Sequence, residues 1–233
     1  MQKLIRPRYL LFLILLSFLL ANGLCYGSDN SFQFWPSAGV AWEVNKDWTL
    51  TYKEQLRLND RGGTLYYGES DFGLLYKSLA EWLDIGINYT VIYGEKRSEE
   101  SKNEERTSLI AIMRGKILDR DVSDKLRLEY RDRDEKSDMW RFRNKFTVNR
   151  PFEDLDTRGL RLLKEGVIKP YVADEIFINL DGTGFSENRV YLGVVTKLHE
   201  KTSTDFYYML QSIKDQGAWD HNNIIGIDFT YHF

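Results

Sequence analysis

What this chain lacks narrows it quickly. Of its 233 residues only Cys25 is a cysteine, so no disulfide framework holds it and stability must come from non-covalent contacts. The three histidines, His199, His221 and His232, have no ligand spacing and no cysteine partners, which leaves neither a metal nor a cofactor in prospect. Only four prolines interrupt the chain, so long stretches are free to pair as strands. Charge is nearly balanced, 32 Lys and Arg against 35 Asp and Glu, with no basic stripe of the kind that selects nucleic acid. Long hydrophobic runs are scarce too. After Leu20 no segment is apolar for long enough to cross a bilayer as a helix, so a membrane protein of this sequence would have to be a closed barrel.

The one long apolar run, Tyr9 to Leu20, follows Lys3, Arg6 and Arg8 and precedes a short stretch ending at Gly27. That order is the pattern of a secretory signal peptide, and the run is well short of the roughly twenty residues a spanning helix needs. Cleavage is expected after Gly27, with Gly23 as second choice. Residues 1–27 then form a cleaved leader and 28–233 a single domain. Removing the leader takes Cys25 away and moves the formal charge from −3 to about −6. An uncleaved anchor and a lipid-anchored Cys25 are the rival readings; Leu24 stands where a lipoprotein needs a small residue.

What is present is alternation. Leu83, Ile85, Ile87, Tyr89, Val91 and Tyr93 share one face of a strand, and Asp84, Gly86, Asn88 and Thr90 share the other. The same two-residue period runs through 48–58 (Glu54 interrupts it), 125–131, 140–148 and 224–233, and less regularly through 32–44, 64–78, 104–117, 167–179, 187–198 and 202–213. Turn residues separate these stretches, as at Asp60-Arg61-Gly62-Gly63 and Asp181-Gly182-Thr183-Gly184. Eleven segments are clear. Bacterial single-chain barrels have even strand numbers, so an antiparallel up-and-down transmembrane β-barrel of about twelve strands is expected, with ten as the alternative. The missing strand would come from a division at Pro36 or from 150–166, where a short helix is the other reading.

Three features favour apolar-out over a soluble sandwich, where the same alternation points inward. The strands run to about 11–13 residues, where a tilted membrane strand needs roughly 9–11 and the soluble mode is about five or six. Aromatic residues fall near strand ends, at Trp35, Trp48, Trp82, Tyr93, Trp140, Tyr231 and Phe233, suiting a membrane–water boundary. Full charges occupy mid-strand positions of the polar face. The terminal strand, with Phe229, Tyr231 and Phe233, resembles the one by which barrel-assembly machinery recognises its clients. This places the protein in the outer membrane of a Gram-negative bacterium, among outer-membrane lipids. Turns near 45–47, 79–82, 119–123, 149–166 and 199–201 are then periplasmic; 149–166 is long for that side.

Inward-facing charges include Arg57, Arg127, Glu129, Arg131, Arg141, Arg143, Glu175 and Arg189, and basic residues outnumber acidic ones roughly two to one across the inferred lumen. In the hairpin around 134–138, matching parity puts Glu129 opposite Arg143 or Arg141. The cluster is either a satisfied ion-pair network or a surface for small anions.

Several motifs resemble the domain-of-unknown-function 2490 family: Lys53-Glu54-Gln55-Leu56-Arg57, Leu126-Arg127-Leu128-Glu129-Tyr130-Arg131, Trp140-Arg141-Phe142-Arg143, Pro151-Phe152, Glu175-Ile176-Phe177 and Asn188-Arg189. The resemblance implies an outer-membrane barrel and assigns no activity. No nucleophile and base stand in a catalytic pattern, so a narrow pore or closed barrel is the leading expectation. A lipid-modifying enzyme using Ser212, His221 or His232, or a soluble periplasmic β-protein, are the alternatives. Intact-mass measurement of the exported protein should give a chain beginning at Ser28; a mass that retains Cys25 rejects the cleavage assignment.

Overall fold

A computed structural model describes residues 31–59, 63–94, 103–117, 120–134, 137–149, 168–215 and 217–233. The regular elements among them are all strands: β1 (Ser31–Glu43), β2 (Trp48–Asn59), β3 (Thr64–Ala80), β4 (Leu83–Tyr93), β5 (Asn103–Ile117), β6 (Arg120–Arg133), β7 (Met139–Asn149), β8 (Ile168–Asn179), β9 (Gly184–His199), β10 (Thr202–Asp215) and β11 (Ala218–His232). Each pairs with its neighbours in sequence, and β1 pairs with β11, so the sheet closes into a barrel.

The strand count corrects the expectation of twelve, and it changes the closure. A meander of eleven strands leaves the first and last pointing the same way, so the closing seam must be parallel. It is: Ser31 pairs with Asn222 and Ala41 with His232. Pro36 does not divide β1. The β1–β2 ladder skips Trp35 and Pro36 and resumes in register, with Phe34 opposite Leu58 and Ser37 opposite Gln55. A missing donor therefore costs a local gap and no bend of register. The other source of a twelfth strand, 150–166, lies outside the described residues.

Parity sorts the side chains. Twenty-nine large hydrophobics are exposed among the described residues, against eleven hydrophobics that are buried. Such a surface is the reverse of a soluble core packed by apolar faces. Trp48, Trp82, Tyr93, Trp140 and Phe233 belong to this outer set. Trp35 does not. It stands on the odd, inward face of β1 and is only 2% exposed, so it is no girdle residue. Glu54 remains on the outer face, where its carboxylate accepts from the Tyr52 and Ser70 hydroxyls.

Two inward tyrosines fit against glycines across the ladder, Tyr171 opposite Gly193 and Tyr207 opposite Gly226. A Cβ on either glycine would collide with the facing ring. The rings thus lie flat on the wall and cover backbone that would otherwise stand bare. At the parallel seam, Lys53 reaches across β1 from β2 to Asp228 on β11 at 2.6 Å, and the Ser37 hydroxyl donates to the same carboxylate at 2.6 Å. The strand it crosses carries Gly39 opposite Lys53. In the β8–β9 turn, the Thr183 hydroxyl and amide bond Asp181 at 2.6 and 3.0 Å and hold that carboxyl below its ordinary range.

The parallel seam is directly testable because the mature chain expected from the sequence has no native thiol. Cysteines replacing Val40 and Tyr231, which face each other across β1 and β11, should form an intramolecular disulfide on mild oxidation. An antiparallel closure would carry Val40 to the far end of the barrel, and no crosslink would form.

Candidate functional site

The inner wall is built from every second residue of each strand, and it sets a dense array of charges beside an apolar cluster of Trp35, Tyr171, Ala173, Tyr191, Tyr207, Met209 and Ile224. Towards the Ser31 end, the Arg57 guanidinium is sandwiched between the rings of Trp35 at 3.9 Å and Tyr67 at 3.8 Å. Tyr67 donates to Glu69 at 2.6 Å, and Arg57 approaches that carboxylate at 3.5 Å. The Trp35 indole N–H donates to Gln33 at 2.9 Å, and Arg189 lies over the same indole at 5.3 Å. Residues from β9, β1, β2 and β3 therefore stack across the interior. Planar guanidinium suits this role, since it stacks and forks at once.

The centre is organised by Glu129, whose residue is fully buried. Arg141 Nε donates to it at 2.7 Å and Arg143 at 2.7 Å, while Arg127 stands at 3.6 Å. Register explains the choice: Glu129 is directly opposite Arg141, and Arg143 is the diagonal neighbour. Arg143 also bridges to Glu175 at 2.7 Å, which accepts from the Tyr191 hydroxyl at 2.8 Å and lies 4.0 Å from Arg189. Phe177, fully buried, gives a face to three guanidinium groups: Arg143 and Arg189 at 4.6 Å and Arg141 at 5.1 Å.

Of the eight residues singled out from the sequence, Arg127, Glu129, Arg141, Arg143, Glu175 and Arg189 form this one connected network. Arg57 joins it through the Trp35 stack. Arg131 goes elsewhere, to Glu104 at 2.8 Å, which Arg106 shares. Sequence reasoning missed Glu104 and Glu187. Both stand two residues before an arginine, Arg106 and Arg189, and so on the same strand face. Glu187 accepts from Arg189 and from Gln211, each at 2.6 Å. With these two acids inside, the basic excess is smaller than the two-to-one ratio expected. Trp35, Tyr67 and Phe177 were also missed as stacking partners.

A cavity of about 550 Å³ lies in this interior, lined by ten cationic side chains and six carboxylates. It reaches from Gln211 and Ile213 to Ala41 and Thr230. Ten residues of β11 separate Asp220, opposite Ile213, from Thr230. At about 3.3 Å per residue and a tilt of about 40°, that is about 25 Å along the axis. The cavity is long and narrow.

Two serine–histidine contacts lie near the barrel ends: Ser212 Oγ is 2.9 Å from His221 Nδ1, and Ser203 Oγ is 3.0 Å from His232 Nε2. Both pairs are exposed. No group of three metal-ligating side chains occurs among the described residues.

Residues 32–222 match the family model described as a protein of unknown function, DUF2490. The chain belongs to the DUF2490 family. That match takes in nearly all of β1, the whole of β2 to β10 and the start of β11, so this family member's ion-pair network lies entirely within it. No curated protein matches the chain.

Replacing Glu129 by Gln keeps the volume and removes the central anion, leaving Arg141 and Arg143 facing each other without it. Loss of one partner from a buried ion network costs about 3–5 kcal/mol. Urea unfolding of the detergent-refolded barrel should show a clear drop in midpoint for Glu129→Gln, while Glu105→Gln on the outer face leaves the midpoint in place. Equal midpoints for all three proteins would remove Glu129 from the centre of the network.

Proposed function

We propose that this protein is an outer-membrane β-barrel of a Gram-negative bacterium whose arginine-rich lumen is a narrow conduit for small anions. The observation that carries the reading is the inversion of polarity: an apolar outer belt around an ionised, cavity-bearing interior. Strands of 11 to 17 residues are long enough to cross a bilayer when tilted. Aromatic side chains at strand ends suit its two interfaces. The export signal read in residues 1–27 and the terminal strand ending at Phe233 support delivery to the outer membrane through barrel-assembly machinery.

Selectivity follows from the charge around the passage. Rings of Arg and Lys lower the energy of an anion and raise that of a cation. Most of the guanidinium charge here is spent on carboxylates, so the remaining field is modest and favours anions weakly. Trp35, Phe177 and the paired acids hold those arginines in fixed places along the cavity.

A second reading, hydrolysis of lipid at the barrel surface, has one observation in its favour: the Ser212–His221 contact on the outer face. No carboxylate bonds the other ring nitrogen of His221 among the described residues, so the histidine lacks the orienting group a hydrolytic triad uses. Lipid release that is lost in His221→Ala would establish this activity; no release by the wild-type protein rejects it.

Membrane fractionation followed by planar-bilayer recording tests the conduit. The expected result is outer-membrane recovery and a small conductance whose reversal potential in a KCl gradient lies towards chloride. Recovery in the soluble periplasm overturns the membrane reading, silence in the bilayer overturns the pore, and potassium preference overturns the anion assignment.

A further inference from the structure

Strands β6 and β7 pair so that Arg127 faces Arg143 and Lys125 faces Lys145. Like charges directly opposed on a ladder repel. For the first pair the conflict is resolved, because Glu129 and Glu175 both bind Arg143. For the second it is not. Lys125 makes no ion pair among the described residues; Lys145 stands opposite Glu175 on β8, a carboxylate already bonded by Arg143 and Tyr191, and rests its ammonium 3.7 Å from the Tyr191 ring centroid. Arg127 has only the 3.6 Å approach to Glu129, a carboxylate already held by two other arginines.

All three cations line the cavity, as do small or neutral groups such as Thr51 and Asn88 and the carboxylates of Glu175 and Asp205, the latter bonded by the Tyr171 hydroxyl. Asp71 lines the same space, but it is bonded by Asn88 and by Thr90, the latter at 2.8 Å. Lys53, also lining it, is held by Asp228. The lining as a whole carries ten cationic side chains against six carboxylates, and this bay holds two opposed lysines and a guanidinium of that excess.

We propose that Lys125, Lys145 and Arg127 bind a small divalent oxyanion of the phosphate class, inorganic phosphate or a phosphate monoester, inside the lumen. Two facing ammonium groups call for a ligand with two charges, since a chloride ion would compensate one. Ammonium groups supply movable point donors and guanidinium a planar fork, which together suit a tetrahedral oxyanion. This inference deepens the conduit reading by naming the ion the passage holds.

The test is calorimetric titration of the refolded full-length barrel in detergent with inorganic phosphate, against chloride at equal ionic strength. One saturable phosphate site per barrel is expected, at least tenfold weaker in Lys125→Met and in Lys145→Met, with no saturable heat from chloride. Either variant relieves the opposed pair, so its thermal midpoint without phosphate should equal or exceed that of the wild type, and the stabilisation by phosphate should shrink. Absence of a saturable phosphate site in the wild-type protein overturns the proposal, as does binding unchanged in both variants. Phosphate binding by a barrel that conducts nothing would uphold this site while rejecting the pore; anion current without phosphate binding would do the reverse.

Discussion

Closure of the backbone ladder is the constraint on which everything else rests. A β-sheet that returns on itself has no free edge, and each strand must then show one side chain set to the inside and the other to the outside. Once the outside is apolar, the inside inherits the polar set, because the period of two permits no third destination. Eleven strands make the seam parallel, and the seam is where extra stitching appears: Lys53 crosses β1 to reach Asp228, with Ser37 beneath it. Parallel pairing is slightly weaker per residue than antiparallel, so ion pairing across that strand falls where the ladder itself contributes least.

The same closure creates the electrostatic problem that the lumen has to solve. Parity brings four cations of β6 and β7 face to face in two rungs, and side chains cannot turn outward into an apolar belt. Glu129 relieves the upper rung by binding Arg141 and Arg143 together, and Glu175 takes the free fork of Arg143. Flat aromatic faces at Trp35 and Phe177 absorb further guanidinium charge without adding acids. The lower rung, Lys125 and Lys145, has only Glu175 opposite Lys145, and Arg143 already holds that carboxylate. That contrast within a single hairpin is why the lower rung, with Arg127 beside it, reads as a binding place and the Arg143–Glu129–Glu175 set as structure.

Much of this was legible in the sequence, and the limits have physical causes. Eleven alternating segments were visible and eleven strands close the barrel among the described residues; the twelfth came from an even-number rule, which describes most bacterial barrels but is no law of ladders. Pro36 looked like a break because proline lacks a donor, yet a strand tolerates one missing bond when its register holds on both sides. Parity placed Glu129 opposite Arg143 or Arg141, since strand geometry determines neighbours once the turn is located. Trp35 was misplaced because an aromatic near a strand end suits either face, and only its odd position in β1 tells them apart. Glu104 was hidden by proximity to a long loop, which made its strand membership, and hence its facing, invisible. Stacking across the interior, as between Trp35 on β1 and Arg189 on β9, depends on barrel diameter, which no local pattern encodes.

The cavity's position follows from an asymmetry in side-chain length. Strands β5 to β9 line it with Arg106, Arg127, Arg131, Arg141, Arg143 and Arg189, whereas β1 to β4 set Gly39, Ala41, Thr51 and Asn88 among the longer Trp35, Lys53 and Arg57. Free volume collects beside those small residues, and both cationic side chains and carboxylates meet it. A lumen packed for stability alone would fill this space with apolar bulk, since replacing buried ion pairs by hydrophobic residues of similar volume is often neutral or stabilising. Here small residues and charged side chains are set against each other, leaving a cavity between them. That arrangement costs packing and leaves charged groups a free surface, which is the exchange on which the proposed anion conduit depends.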